Sequence, residues 1–559
     1  MFQMTVIQGW SSCVNTDTYQ ARWTQQNPST IYIHGWNNDA DWVELKVGAY
    51  LECGDDAHMP NPETFKSDFL EESKFKCGIA TYNIEQNDVV ELTYSADSYI
   101  GGKYRYVLKL AYDHIRLDFG YEYNGKFLLK RATYCALTHE RASVFNVDTL
   151  FNPNPLANGM QYSSLKDCVT SGSNSERWFS PAPFCFPLKL KNGKWMSVSP
   201  APTVDELDFS GFSNVPCDNG ECAFSLDYTS EPEYEGKLHL PEFVFRFDAD
   251  SEFDALKQYA DGLVELGRVE KLVRQKADWW KGVMVCGWFA QGGAANCTQK
   301  LYESHIELYD ELGIDWDMLT IDDFWGKEHG IWRVDEEKWP DMKGFIARQH
   351  ERGRRVLLWV CIDPKGLPEE EVYIDDGHKM LDPLNPKYIK RVYESFQYMF
   401  GSEGDSLDAD GIKLDFTGVI PRAGEVKCTK RLYGMSYLYE LYKLFHDAAK
   451  KVKPDCLLDW QVANPHFAAF HDMTRLNDFF LPEEVALSVM GTRAKIASSV
   501  NFGAEIDTDH PGSVEYYENS YKFGNMSLYI SNKKLARNDE PIEAIRRTIR
   551  EHIKPQNNK

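Results

Sequence analysis

The chain of 559 residues has no excess of basic charge: 61 lysines and arginines face 85 aspartates and glutamates, for a net charge of −24. That balance argues against a nucleic-acid or anionic-membrane partner, since both need basic surface. No apolar run reaches the roughly 18 residues that a membrane-spanning helix requires. The opening "MFQMTVIQGWSSC" lacks a basic stretch followed by an apolar one, so no signal peptide is visible and the reading is cytoplasmic, with a removed leader left open. The 13 cysteines are odd in number and scattered, and none has the His/Cys spacing of a zinc site. Cys286, Cys361 and Cys456 sit in apolar runs, where a thiol behaves as a small hydrophobe, and only Cys217 and Cys222 are spaced to close a small loop. A reducing compartment follows. Internal repeats and low-complexity segments are missing, and nothing calls for a metal or a cofactor.

Aromatic residues are plentiful: 15 Trp, 30 Tyr and 31 Phe. Such rings fill β-sandwich cores and also stack on sugar faces. The length predicts more than one domain. Residues 1–245 read as short alternating runs broken by turn residues, among them "VVELTYSAD", "KYRYVLKLAY" and "KLHLPEFVFRF". Asn124-Gly125 between two alternating segments predicts a hairpin. This part is expected to be an antiparallel β-sandwich. Residues 246–280 are expected to form a helical linker, with Phe253, Leu256, Tyr259 and Leu263 on one stripe.

From 281 to 559 strand and helix patterns alternate. Strands are predicted at 282–289, 316–324, 355–363, 410–416, 456–462, 474–480, 497–505 and 525–531, with amphipathic helices between most of them. Eight β-α units in this length predict a (β/α)8 barrel. The fifth and sixth strands are so close that the helix between them must be short.

Alternation then identifies candidate chemistry. In "DGIKLDF", Ile412, Leu414 and Phe416 share one face, while Lys413 and Asp415 share the other and point into the barrel. Asp415 lies near the strand's C-terminal end, where barrel active sites are built. The other strands bring Trp288, Asp322 and Asp323, Trp359 and Asp363, and Arg475 and Asp478 to the same rim. Carboxylates and cations beside indoles suit a polyhydroxylated ring. Two carboxylates from different strands are also the minimal equipment for glycoside hydrolysis.

"DGIKLDFTG" resembles the fourth-strand nucleophile motif of clan D glycoside hydrolases, which include families 27, 31 and 36. "LTIDDFWG" resembles the second-strand motif of the α-galactosidase branch, "KWPDMKGFIARQHERGRRVLLWV" the helix leading into the third strand, and "MTRLNDFF" the sixth-strand Arg…Asp motif of raffinose-synthase-like members of family 36. The resemblance covers about 280–530. It implies a retaining α-galactosidase-like enzyme with Asp415 as nucleophile and Asp478 as general acid/base. Lys413 and Arg475 would hydrogen-bond sugar hydroxyls, Asp322 and Asp323 would bind those at C4 and C6, and Trp288 and Trp359 would line the subsite. No metal or cofactor is implied, the partner is an oligosaccharide or glycoside, and self-association stays open.

The departures also carry expectations. Asp478 follows Arg475 by three positions, not four, which leaves Asp472 as a rival acid. "DWQVANPHF" replaces the Gly-rich fifth-strand motif, so Gln461, Asn464 or His466 would recognise the C2 substituent, and a 2-acetamido sugar becomes admissible. Thr417-Gly418 after the nucleophile argues against family 31. α-Glucosidase, α-xylosidase and transglycosylase activities of the same clan stay open. So do a metal-dependent barrel hydrolase using His466 and His471, and a non-catalytic carbohydrate-binding protein.

Overall fold

A computed structural model describes residues 3–7, 11–23, 30–35, 42–53, 76–84, 87–97, 102–138, 147–155, 161–165, 167, 169–172, 178–190, 192–216 and 221–555, less 376, 425, 479–480 and 510–511. Cys217 lies outside them.

The N-terminal strands form two antiparallel sheets that share one long strand, His114–Thr138. Its first half pairs with Lys103–Leu110 and Glu233–Ala249. Its second half pairs with Trp42–Cys53 and Glu221–Asp227. The sheets meet through aromatic rings: Phe212 of one lies 4.8 Å from Phe186 and 5.7 Å from Phe243 of the other. The predicted sandwich is present, but the predicted hairpin is not. Asn124-Gly125 lies inside the long strand, where the register to Glu233–Ala249 shifts between Glu235 and Lys237. Gly125, at φ +152°, supports this bulge. The strand continues because each half finds its own partner, a long-range pairing that a local turn signal does not report.

Of the segment 246–280 expected as a helical linker, only Glu252–Glu265 is α-helical, capped by the Ser251 side chain with Leu256, Tyr259 and Leu263 buried; the strand Glu233–Ala249 runs into its start, and 266–277 are irregular. Eight parallel strands follow: β1 Val283–Cys286, β2 Met318–Ile321, β3 Arg355–Cys361, β4 Gly411–Asp415, β5 Leu457–Trp460, β6 Met473–Arg475, β7 Glu505–Asp507 and β8 Met526–Leu528. Neighbours in sequence pair in space, and β8 returns to β1. β7 and β8 meet through one parallel bridge, Asp507 to Asn525, which nearly closes the barrel.

The seventh strand departs from its predicted place. Residues 497–500 end the helix Glu483–Val500, and β7 begins only at Glu505. Ala497 and Val500 are the buried positions of that helix's last turn, and so short a run does not distinguish helix from strand. The predicted brevity between β5 and β6 holds: only a single 3-10 turn, Ala468–Phe470, lies there.

Inside the barrel the floor is apolar. Met284, Met318, Leu357, Leu457 and Met473 cluster under Trp280, which plugs the N-terminal end. Charge begins one layer higher, with Lys413, Asp459 and Asp507 buried on β4, β5 and β7. The charged groups therefore stand on an apolar base, toward the C-terminal ends of the strands where barrel sites are built.

Candidate active site

Arg475 organises the rim. It ends β6, is buried, and reaches three carboxylates. Nη2 donates to Asp415 Oδ1 at 2.8 Å, and Nη1 lies 3.3 Å from both Asp478 Oδ1 and Asp509 Oδ2. Asp415 ends β4 and also accepts from the backbone N–H of Phe416 at 3.0 Å and from Trp359 Nε1 at 3.2 Å. Burial opposes its ionisation, but Arg475 and Lys413, helped by those two donors, hold it below the usual carboxylate range. Asp478 follows β6 in a loop and is half exposed. Its crowded setting, against the pull of Arg475 and with Asp509 and Asp415 nearby, raises its pKa. Two carboxyls on one guanidinium are thus pushed in opposite directions.

Lys413 does not pair with Asp415, the partner its own strand offers. Its Nζ crosses to Asp322 Oδ2 at 2.8 Å, and both side chains are buried. Burial favours the neutral amine, but Asp322 overcomes this and keeps the lysine protonated. Asp322 is held further by the Cys286 thiol at 3.1 Å, and its backbone N–H donates to the Tyr302 hydroxyl at 2.9 Å. Gly287 makes room for Tyr302: a Cβ there would lie 2.1 Å from the hydroxyl. Tyr529, just after β8, lies under the Lys413 ammonium, 5.2 Å from nitrogen to ring centre.

The backbone at this rim is unusual. Phe324, Phe416, Asn477 and Asp509 all have left-handed φ, between +54° and +73°. Each adjoins or is a site residue at the end of β2, β4, β6 or β7, so local conformational energy is stored where side chains converge.

The loop that carries Asp478 is braced from below. Arg493 of the helix Glu483–Val500 donates to the carbonyls of Leu476, Asn477 and Asp478 at 2.9, 3.0 and 3.4 Å. Its guanidinium stacks on Trp178 of the N-terminal domain, 4.0 Å from the ring centre. The adjoining N-terminal segment also seals the β5 end. The Ser180 N–H donates to the Gln461 carbonyl at 2.8 Å, and Asn464 Nδ2 donates to the Ala182 carbonyl at 2.6 Å.

The remaining predicted residues divide. Trp359 lines the rim beside Asp415. Trp288 begins a short helix two residues past β1 and is 36% exposed. Gln461 is buried beneath the rim, bonded to Thr417 and Asn477. Asn464 gives both polar atoms to Ala182 and to the His466 backbone, away from the rim. His466 and His471 are buried, bonded to the Pro202 carbonyl and to Thr474. Asp472 precedes β6 at the opposite rim, paired with Lys450 at 2.7 Å. No group of three His, Cys, Asp or Glu side chains suited to a metal occurs among the described residues. There too, no helix is long and apolar enough to cross a membrane.

Two groups at the rim were not anticipated. His329, in the loop after β2, bonds both Asp323 and Asp363. Asp507 and Asp509 come from "EIDTD", whose alternation matches that of Lys413 and Asp415 but was hidden by the misplaced seventh strand. Burial and Asp509 push Asp507 up, while burial and Asp507 push Asp459 up further.

Residues 275–453 match the model of the glycosyl hydrolase family 31 TIM-barrel domain. The Thr417-Gly418 departure therefore does not outweigh the rest of that segment. No curated protein matches the sequence. Among solved structures, α-N-acetylgalactosaminidase NagBb from Bifidobacterium bifidum superposes with a TM-score of 0.64 at 12% identity, covering 96% of this chain and 93% of that one. A cycloalternan-degrading enzyme from Trueperella pyogenes gives 0.55 at 13%, covering 83% and 75%. The family 36 α-galactosidase AgaA from Geobacillus stearothermophilus gives 0.54 at 14%, covering 96% and 86%. Residues 275–453 are thus similar to a family 31 TIM-barrel domain, within an overall fold shared with the family 36 α-galactosidase and the α-N-acetylgalactosaminidase.

Proposed function

We propose that the protein is an exo-acting, retaining α-glycosidase that removes a terminal α-linked galactose, or a close analogue such as N-acetylgalactosamine, from an oligosaccharide or glycoconjugate. The observation that carries this reading is the shared guanidinium: Asp415 and Asp478 engage neighbouring nitrogens of Arg475, one carboxyl held ionised and the other raised. That arrangement favours the separation of about 5–5.5 Å used for retention. Asp415 attacks the anomeric carbon while Asp478 protonates the departing oxygen. The glycosyl ester is then hydrolysed by a water that Asp478 deprotonates, which regenerates both groups. Lys413, Arg475, Asp322 and Asp323 supply hydrogen bonds to the sugar, and Trp359 and Trp288 its apolar walls. The adjacent aspartates after β2 support an axial 4-hydroxyl, as in galactose.

A second reading, α-glucoside or α-xyloside cleavage, is favoured by the family 31 match over the first half of the barrel. A screen of aryl α-glycosides of galactose, N-acetylgalactosamine, glucose and xylose decides between them, with anomeric configuration followed by proton NMR. Preference for glucose or xylose would replace the first reading, and first-formed product of inverted configuration would overturn retention.

A further inference from the structure

His329 is a residue that no motif singled out. Its Nε2 lies 2.9 Å from Asp323 Oδ1 and its Nδ1 lies 3.0 Å from Asp363 Oδ2. Asp363 is itself fixed by the Lys365 backbone N–H at 3.0 Å. The imidazole packs 5.3 Å from the Trp359 ring and 6.3 Å from Phe324. A carboxylate oxygen only accepts, so a ring with a carboxylate on each nitrogen needs a proton on both. The same two carboxylates, Asp323 first, with Cys361 nearby, raise the imidazole to about 11. His329 is thus a cation throughout the neutral range.

The consequence falls on Asp323. Its Oδ1 accepts from His329 and from the Phe324 backbone N–H at 2.6 Å. Its Oδ2 accepts no hydrogen bond among the described residues. Asp322, its neighbour, has both oxygens engaged, by Lys413 and Cys286 on Oδ2 and by the Asp323 N–H on Oδ1. Of the adjacent pair, Asp323 alone has an oxygen that accepts no hydrogen bond among the described residues, whereas Asp322 accepts on both.

We infer that His329, clamped by Asp363, is a positioning residue that locks Asp323 with one oxygen occupied and the other presented to a single sugar hydroxyl, and so sets the selectivity for that hydroxyl. The inference rests on the reading that Asp323 binds substrate. An unlocked carboxylate can rotate and accept differently placed donors, whereas a locked one discriminates by direction.

The test uses the free monosaccharide released from the fastest-cleaved aryl α-glycoside, with its 4-deoxy and 6-deoxy analogues. Their inhibition constants are measured on wild type and on H329Q, D363N and D323N. H329Q is expected to weaken the parent sugar roughly tenfold, the scale of one charge-assisted hydrogen bond. It should weaken one deoxy analogue less than about threefold, because the hydroxyl it acts through is gone. KM should rise while kcat changes little, and D363N should show the same pattern more weakly. Histidine-selective nitrogen NMR should show both His329 nitrogens protonated at neutral pH. Equal weakening of all three sugars, or no weakening, in H329Q and D363N overturns the inference and leaves the role of Asp323 standing. If D323N leaves all three sugars unaffected, the underlying reading of Asp323 fails instead.

Discussion

Asp415 and Arg475 meet across the barrel from β4 and β6 through a single bond, Arg475 Nη2 to Asp415 Oδ1 at 2.8 Å, and the same guanidinium touches Asp478 and Asp509. One cation therefore stabilises the ionised form of Asp415, the proposed nucleophile, while three acids compete for it. The competition separates the properties of otherwise identical side chains.

Asp415→Asn is expected to lower kcat by roughly 10⁴-fold or more, the scale for losing a covalent nucleophile. The amide still accepts from Arg475, so circular dichroism and the unfolding midpoint should stay close to wild type. Near-normal turnover on every substrate would remove Asp415 from the mechanism.

Asp478→Ala should slow glycosides with poor leaving groups by about 10²–10⁴-fold, and activated aryl glycosides far less in the first chemical step. Wild-type activity should rise with pH as Asp415 ionises, below the usual carboxylate range, and fall as the raised Asp478 loses its proton. The alkaline limb should vanish in the variant. Equal losses on both substrate classes, with the limb intact, would point to another acid.

Lys413→Met should cost about 3–5 kcal/mol in urea unfolding, because it leaves Asp322 buried without its cation. Asp322→Asn in the same chain should restore much of that loss, since the two sites interact directly. A loss below about 1 kcal/mol in the single variant would show that Asp322 is satisfied without the lysine.

Acid should unfold the protein before most carboxylates titrate. Burial lowers His305 and His466 to about 4, and His471 also falls well below its ordinary value. The unfolded chain binds protons at these rings from near pH 6.5, whereas the folded chain does not. Stability conferred by the neutral rings is complete above pH 6.5 and declines toward pH 4, by about 3 kcal/mol each for His305 and His466. Flat unfolding midpoints between pH 7 and 4 would contradict this. His329 has the opposite sign: its contribution is complete below pH 6.5 and lost as pH rises through about 11.

Trp178→Leu removes the ring under Arg493 and should cost about 2 kcal/mol. Its kinetic signature should be a weaker copy of Asp478→Ala, with poor leaving groups affected most, because the brace holds the Asp478 loop. A uniform loss across leaving groups would limit Trp178 to a structural role.

Much of this was legible in the chain itself. The two-residue period placed Lys413 and Asp415 on one inward face, and the change of period near residue 250 separated sheet from barrel, because side-chain alternation and helical repeat are local properties of the backbone. Which charges meet is a different matter. Lys413 pairs with Asp322 on β2 and not with Asp415 on its own strand; Asp472, close to Arg475 in sequence, faces the opposite rim; and Trp178 supports a loop some 300 residues further on. The bulge at Gly125, the seat of β7, the clamp on His329 and the joint hold of Arg475 on Asp415, Asp478 and Asp509 likewise depend on strand register and near-closure of the barrel. Those are set by packing between segments far apart in the chain, and a local pattern carries no record of its distant partners.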